Sequence, residues 1–324
     1  MISRTLAAFS PLASLAFSSL ILFGNPAAAQ SYPVKPVELV VAFQPGGGVD
    51  SMARIFAEAA RPLFPQPLVV VNKPGASGSI GLAYVATAPA DGYKVAMVFA
   101  ELLTIPLLGI NKVNHEDFQP IAKFASDPST LTVRADAPWS TIEEFIAYAK
   151  ANPGKASISN AGNGSISHIS GAALGQKAGV QFTHVPYQGS APAVQGLMGG
   201  QVSATTVNYS VVSAQITGGK LKMLASMSDK RFAAFDKVPT LKERGIDLSV
   251  DVWRGIAVAK NTPKETVDSL RALAGKVARE PALQETLRKQ NLTYAYEDSE
   301  EFARTMARES ERFKQIIPQL DIKN

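Results

Sequence analysis

From Val37 onward the chain alternates short apolar runs with longer amphipathic stretches. VELVVAF (Val37 to Phe43) is rich in β-branched residues and bounded by turn residues, which predicts a buried strand. A glycine-rich turn follows, then a helix over 49–63. LVVVN (Leu68 to Asn72) and KVAMVF (Lys94 to Phe99) predict two more strands, the first running into a Pro-Gly loop and a helix. Strands alternating with helices at this spacing predict parallel-rich sheet with helices packed on it.

The rhythm restarts near Leu131. LTVR (Leu131 to Arg134) predicts a strand, and Ser140 with Glu143 reads as a capping box opening a helix that stops before Asn152-Pro153-Gly154. Then follow the strand SIS (Ser157 to Ser159), a helix to about Ala178, the strand FTHVP, a helix from Ala191, a strand over 201–207 and LKMLASM (Leu221 to Met227). WRGIAVA (Trp253 to Ala259) is a late apolar strand. Thr262-Pro263-Lys264-Glu265 reads as a second capping box, and the remainder to Asn324 reads as charged helix.

Two α/β lobes are therefore expected. One is built from residues 30–130 and 249–324, the other from 131–248, with the two crossings as a hinge. Residues 1–29 have the layout of a cleaved secretory signal peptide: Arg4, an apolar stretch from Leu6 to Phe23, and Ala27-Ala28-Ala29. The expected location is periplasmic.

Composition narrows the chemistry. With 46% hydrophobic residues among 324, the chain can build a core, so a disordered chain is excluded. The absence of cysteine removes disulfides, thiol nucleophiles and cysteine-based metal sites. Three histidines leave little for a histidine metal site, and no cofactor is expected. A net charge of +5, spread along the chain, does not indicate nucleic-acid binding.

The candidate chemistry lies in three small-residue loops. PGGGVDSMAR (Pro45 to Arg54) follows the first strand, and its consecutive glycines before a helix start would suit an anion. A plain strand–helix turn is the alternative. The lysine and hydroxyl of a phosphate loop are missing, since Val49 and Asp50 stand there. NKPGASGSIG (Asn72 to Gly81) and SNAGNGSISH (Ser159 to His168) follow later strands. All three lie where open α/β sheets bind ligands. No nucleophile elbow surrounds Ser165, and Asp50 reads best as a cap or dipole partner, so catalysis is not expected.

At these loops the sequence resembles the Bug-type extracytoplasmic solute receptors, the binding proteins of tripartite tricarboxylate transporters. The matching stretches include YPVKPVELVVAFQPGGGVDSMAR, VVVNKPGASGSIG, APADGYKVAM, GNGSISH, HVPYQGSAPAVQGLMGGQV, VPTLKERG and WRGIAVAKNTPKE. The resemblance implies a two-lobed, type II-like periplasmic binding fold closing on a small organic carboxylate, a partnership with the transporter's membrane subunits, and no enzyme activity. A sensory receptor of the same fold, feeding a sensor kinase, is the alternative. A monomer is expected.

The resemblance also implies a carboxylate held by backbone amides and water. Carried over, one wall is Phe43, Gln44, Pro45, Gly46, Gly47, Gly48 and Asp50, and the other is Asn160, Gly162, Gly164, Ser165 and His168 with Tyr187. Ala100 and Asn208 join the set from neighbouring loops. This chain departs from the family pattern in two places. Glu101 replaces a small residue, either facing a ligand amine or hydroxyl or solvated at a helix start. Val207 precedes Asn208 where an acidic residue is common, which weakens an amino-acid ligand.

Overall fold

In the computed structural model, which describes residues 32–46, 48–231 and 235–320, the apolar runs assemble into two sheets. The six-stranded sheet has the order β11-β4-β10-β3-β1-β2. Its strands are β1 (Val37–Val41), β2 (Leu68–Asn72), β3 (Lys94–Phe99), β4 (Phe118–Ser126), β10 (Arg254–Ala259) and β11 (Thr293–Glu297). The five-stranded sheet has the order β7-β6-β8-β5-β9. It contains β5 (Thr130–Arg134), β6 (Ser157–Asn160), β7 (Thr183–Pro186), β8 (Ala204–Thr205) and β9 (Leu221–Ser226). The N-terminal stretch read as a signal peptide lies outside the described residues.

Both sheets are mixed. β1 runs parallel to β2 and β3, whereas β10 and β11 pair antiparallel with their neighbours. In the second sheet β6 pairs parallel with β7 and β8, while β5 is antiparallel to β8 and β9. The antiparallel strands are those that follow the two passages of the chain between the sheets.

Side-chain alternation explains why the central strands read as continuous apolar runs. On β1, Val37, Leu39 and Val41 face one core while Val40 faces another, and β3 divides Val95 and Met97 from Ala96 and Val98 in the same way. The first of these cores lies under α1 (Gly48–Ala60), α7 (Lys264–Ala278) and α8 (Pro281–Lys289). The second is continuous from α2 (Ser79–Ala86) and α9 (Ser299–Ile316) to α3 (Ile142–Ala151) and α4 (Ile166–Ala178) on the second sheet. A third lies beneath α5 (Ser190–Met198) and α6 (Tyr209–Thr217). Gly255 is needed where α9 meets β10, because a Cβ there would stand 2.6 Å from the Phe302 ring.

Several sequence expectations are corrected. The cap of α3 is Thr141, whose hydroxyl accepts from the Glu144 amide at 3.2 Å, while the Glu144 carboxylate accepts from the Ser140 amide at 2.6 Å. The cap is thus one residue later than expected, and the reciprocal bond of a capping box is not formed, because Glu144 accepts from Ser140 instead of from Thr141. Thr262 does not cap α7: it is buried, and its hydroxyl donates to the Ala259 carbonyl, closing the turn after β10. The C-terminal region holds β11 between its helices. The strand expected over 201–207 is confined to Ala204–Thr205, and Ser190 rather than Ala191 begins α5.

Two segments carry the chain between the sheets, and they pair with each other. The Ser129 amide donates to the Val250 carbonyl at 3.0 Å, the Val252 amide donates to the Asp127 carbonyl at 3.2 Å, and Pro128 bridges Asp251 antiparallel. Beside them the fully buried Trp253 donates its indole N–H to Glu309 of α9 at 2.6 Å. Burial, reinforced by nearby Asp251, pushes the Glu309 carboxyl up to about 8, against the opposing effects of Trp253, Arg312 and Lys123.

Because this folded value lies above the unfolded one, the folded chain retains a proton that the unfolded chain releases. The contribution of Glu309 to stability is therefore full below the model-peptide range and declines as pH rises to about 8. Glu309→Gln keeps an acceptor for Trp253 and abolishes the titration. Relative to wild type, it should gain up to ~1.4 kcal/mol of stability per pH unit across that window. Denaturant unfolding of both proteins at about pH 5 and about pH 8 checks this, and a pH-independent difference would refute it.

Candidate functional site

The glycine loop sits at the carboxyl end of β1, and its shape is held from beneath by Asp50. This buried carboxylate on the first turn of α1 accepts from the Gly46 amide at 2.9 Å, from Arg54 at 2.9 and 3.1 Å, and from Asn72 at 2.9 Å. Asn72, the last residue of β2, also donates to the Phe43 carbonyl at 3.0 Å. Burial alone would raise the Asp50 pKa. The donors Arg54, Gly46 and Asn72, with the Arg54 charge, overcome it and hold the carboxyl at about 2. Both oxygens are thus committed inside the protein, so Asp50 shapes the loop instead of presenting a free carboxylate to a ligand.

Around this staple the remaining wall residues are laid out as a rim. Gln44, Pro45 and Gly46 are exposed, while Phe43 packs its ring 4.7 Å from that of Phe99. Gly48 opens α1. Gly47 lies outside the described residues. Ala100 is buried at the start of a short 3-10 helix, Ala100–Leu103, that follows β3, and Glu101 is half-buried beside it. Burial raises the Glu101 pKa, opposed by its own backbone amide and by the charge of Arg254.

The loop after β6 builds the second group. Asn160 is fully buried, its side-chain oxygen accepts from the Gly162 amide at 3.0 Å, and its Nδ2 has no partner. Gly162 and Gly164 take φ values of 124° and 73°, which side-chain-bearing residues rarely adopt. Ser165 caps α4 by accepting from the His168 amide at 3.2 Å, and its hydroxyl lies 3.0 Å from that of Ser167. His168 Nδ1 accepts from the Gly164 amide at 3.2 Å, and burial lowers its pKa. Burial and the neighbouring His168 ring lower His184 to about 4, so neither imidazole adds positive charge near neutrality.

Tyr187 stands beside this loop, with its side chain engaged by α5 and Gln201. Its hydroxyl donates to Gln201 at 2.9 Å and its ring lies against Gly196 of α5, so only its backbone supports the loop, through its amide on the Asn160 carbonyl at 3.0 Å. Val207 is fully buried in the core under α5 and α6. Asn208 stands at the residue before α6 and donates its side-chain amide to the Asp127 carbonyl at 2.7 Å.

Arg254, the first residue of β10, was not singled out from the sequence. It pairs with Phe99, which places it at the same sheet end as the glycine loop. It is 7% exposed, and its Nη2 lies 3.7 Å from the buried carboxylate of Asp127. Asp127 accepts from the amide and hydroxyl of Ser210 at the start of α6, at 3.0 and 2.6 Å. Burial raises the Asp127 pKa, with Arg254 and Ser210 opposing. Gly48, Glu101, Arg254, Asp127 and Asn208 thus form one connected set. The usable sequence signal was a charged residue opening a strand otherwise buried throughout.

Among the described residues no group of three or more His, Cys, Asp or Glu side chains could hold a metal ion, and no helix is long and apolar enough to cross a membrane. The arrangement offers backbone amides, a buried side-chain amide and a guanidinium, which are hydrogen-bond donors suited to an anion.

Fold and loops together define a two-lobed solute-binding protein. The sequence model of the family described as "Tripartite tricarboxylate transporter family receptor" matches residues 52–322, and the chain belongs to this family. A curated Cupriavidus necator protein, described as a UPF0065 protein in the gbd 5' region, is 34% identical over 312 residues, covering 95% of this chain and 94% of that one. A TctC solute-binding protein from Polaromonas, solved without ligand, matches with a TM-score of 0.82 and 49% identity, over 90% of this chain and 100% of that one. The periplasmic binding protein BugD matches at 0.72 and 35%, over 88% and 98%. Two Rhodopseudomonas palustris proteins match with TM-scores of 0.74 and 0.72 and identities of 28% and 25%. They were solved with adipate and malate, and the matches cover 88% of this chain and 97% and 100% of theirs. The family and these neighbours are binding proteins, so this chain is a solute-binding receptor and not an enzyme.

The Asp50 staple yields a test. Its folded pKa is depressed, so the stability it supplies is present above the unfolded value and is lost as pH falls toward about 2. Asp50→Asn should cost ~1–3 kcal/mol at pH 7, since it leaves donors of Arg54 and Gly46 poorly matched. The deficit should shrink near pH 3. Urea unfolding at the two pH values measures it, and an equal deficit at both would count against the staple.

Proposed function

We propose that this receptor captures a small organic carboxylate in the periplasm and delivers it to the membrane subunits of a tripartite tricarboxylate-type transporter. The observation that carries the reading is the pair of glycine-containing loops after β1 and β6, one on each sheet, with amides and few fixed charges around them. Family membership and the adipate- and malate-bound neighbours support the ligand class. We take residues 30–130 with 249–324 as one lobe and 131–248 as the other. The paired segments at Pro128 and Asp251 then act as the hinge on which the loops close. Residues 1–29 serve as the export signal, and the mature protein works as a monomer.

Within this reading, the carboxylate is received between the glycine loop and the loop after β6, with Asn160 Nδ2 as the unpartnered donor, while the Gly46, Gly162 and Gly164 amides shape the two loops through Asp50, Asn160 and His168. Ser165 has a structural duty as the cap of α4, so its replacement by alanine acts on the helix as well as on the ligand. An amino-acid ligand is disfavoured, because Val207 is apolar and faces the core.

A thermal-unfolding screen against mono-, di- and tricarboxylates, aromatic acids and amino acids tests the proposal. A true ligand at a hundredfold its dissociation constant should add about 2.7 kcal/mol of stability. It should be recovered chemically unchanged. A screen in which no carboxylate stabilises the protein, or in which the bound compound is converted, would overturn the reading.

A further inference from the structure

Arg254 is a buried charged group whose guanidinium is incompletely partnered among the described residues. Its side chain is 9% exposed, and both Nε and Nη1 are buried without a hydrogen bond. Nη2 approaches Asp127 only to 3.7 Å, and the two Asp127 oxygens already accept from Ser210. A guanidinium carries five N–H donors, and leaving them unmet away from water is costly.

The surroundings add to this cost instead of relieving it. The guanidinium lies against Gly48, the first residue of α1, where a Cβ would stand only 2.9 Å from Nη2. The N-terminal end of that thirteen-residue helix carries the positive end of its dipole. Two positive features therefore converge at the mouth of the glycine loop, and glycine at position 48 permits their approach. Glu101 influences Arg254 electrostatically but makes no hydrogen bond to it.

We propose that Arg254 is a ligand-contacting and specificity-determining residue, whose guanidinium receives one carboxylate group of the solute at the N-terminus of α1. The proposal rests on the carboxylate-receptor reading above and adds a full positive charge to a site otherwise made of amides. The planar fork of arginine matches the two oxygens of a carboxylate, which a point charge does not. Asp127 keeps the guanidinium aimed at the cleft without saturating it. The competing role is purely structural, with Arg254 serving only as countercharge to Asp127.

The two roles separate by calorimetric titration of succinate, malate, citrate, adipate and benzoate into wild type, Arg254→Gln, Arg254→Lys and Gly48→Ala. Arg254→Gln should weaken binding of every acid that wild type takes by about ten- to a hundredfold. Arg254→Lys should fall between the two. Gly48→Ala retains both Arg254 and Asp127 and improves the helix start, yet should weaken binding several-fold by displacing the guanidinium. It therefore remains informative should Arg254→Gln fail to fold. Wild-type affinity in either Arg254→Gln or Gly48→Ala overturns the proposal, even with a lowered melting temperature, and leaves the receptor reading intact. Binding of none of these acids by wild type overturns both.

Discussion

A single buried carboxylate, Asp127, constrains how the two sheets meet. It is 1% exposed and lies where the chain leaves the first sheet for the second. A carboxylate taken out of water must be compensated by donors or charge, or it destabilises the fold by several kcal/mol. Its compensation comes from both sides: Ser210 at the start of α6 supplies two hydrogen bonds, and Arg254 at the start of β10 supplies charge. The backbone of the same residue is equally engaged, its amide donating to Asp251 at 3.0 Å and its carbonyl accepting from Asn208. One residue thereby fixes the paired crossing, the beginning of α6 and the orientation of the guanidinium.

How legible each part was in the sequence follows from how local its cause is. β1 and β3 are apolar runs because both faces are buried, so their composition alone marks them, whereas β2 is a β-branched edge strand with Val69 exposed. β4 was missed because Pro120 and Lys123 interrupt its pattern. Pro120 is tolerated opposite Ala257 at a register shift, and Lys123 is buried only because it pairs with Glu297 of β11. That partner is 174 residues away, and no local pattern reports it. β11 itself is an edge strand whose TYAYE reads as part of a charged tail.

The site was legible to the extent that it is made of backbone. Gly162 and Gly164 announce themselves because their φ values exclude most other residues, and the family resemblance rested on the same loops. The side chains were harder to assign. Asp50 sits in the predicted loop, yet its carboxylate serves Gly46, Arg54 and Asn72. Tyr187 lies in a matching motif, yet its hydroxyl serves Gln201. Arg254 lies 155 positions beyond Phe99, and only the antiparallel pairing of β10 with β3 brings the two together. A residue delivered by long-range strand pairing carries no signature of its destination.

The electrostatic character of the site follows from these placements. With both histidines neutral near pH 7 and Asp50 neutralised by Arg54, the balance is left to Arg254, Asp127 and Glu101. A fully paired Arg254 would have no donors left for a ligand. A wholly unpaired one would cost several kcal/mol, a large share of a domain's ordinary stability. Held 3.7 Å from an acid already bonded to Ser210, it occupies an intermediate position, with its charge partly offset and the donors of Nε and Nη1 unspent. An anion entering beside Gly48 would then replace missing donor contacts without first breaking a formed ion pair. That difference between the free and the occupied states is what a binding site converts into affinity.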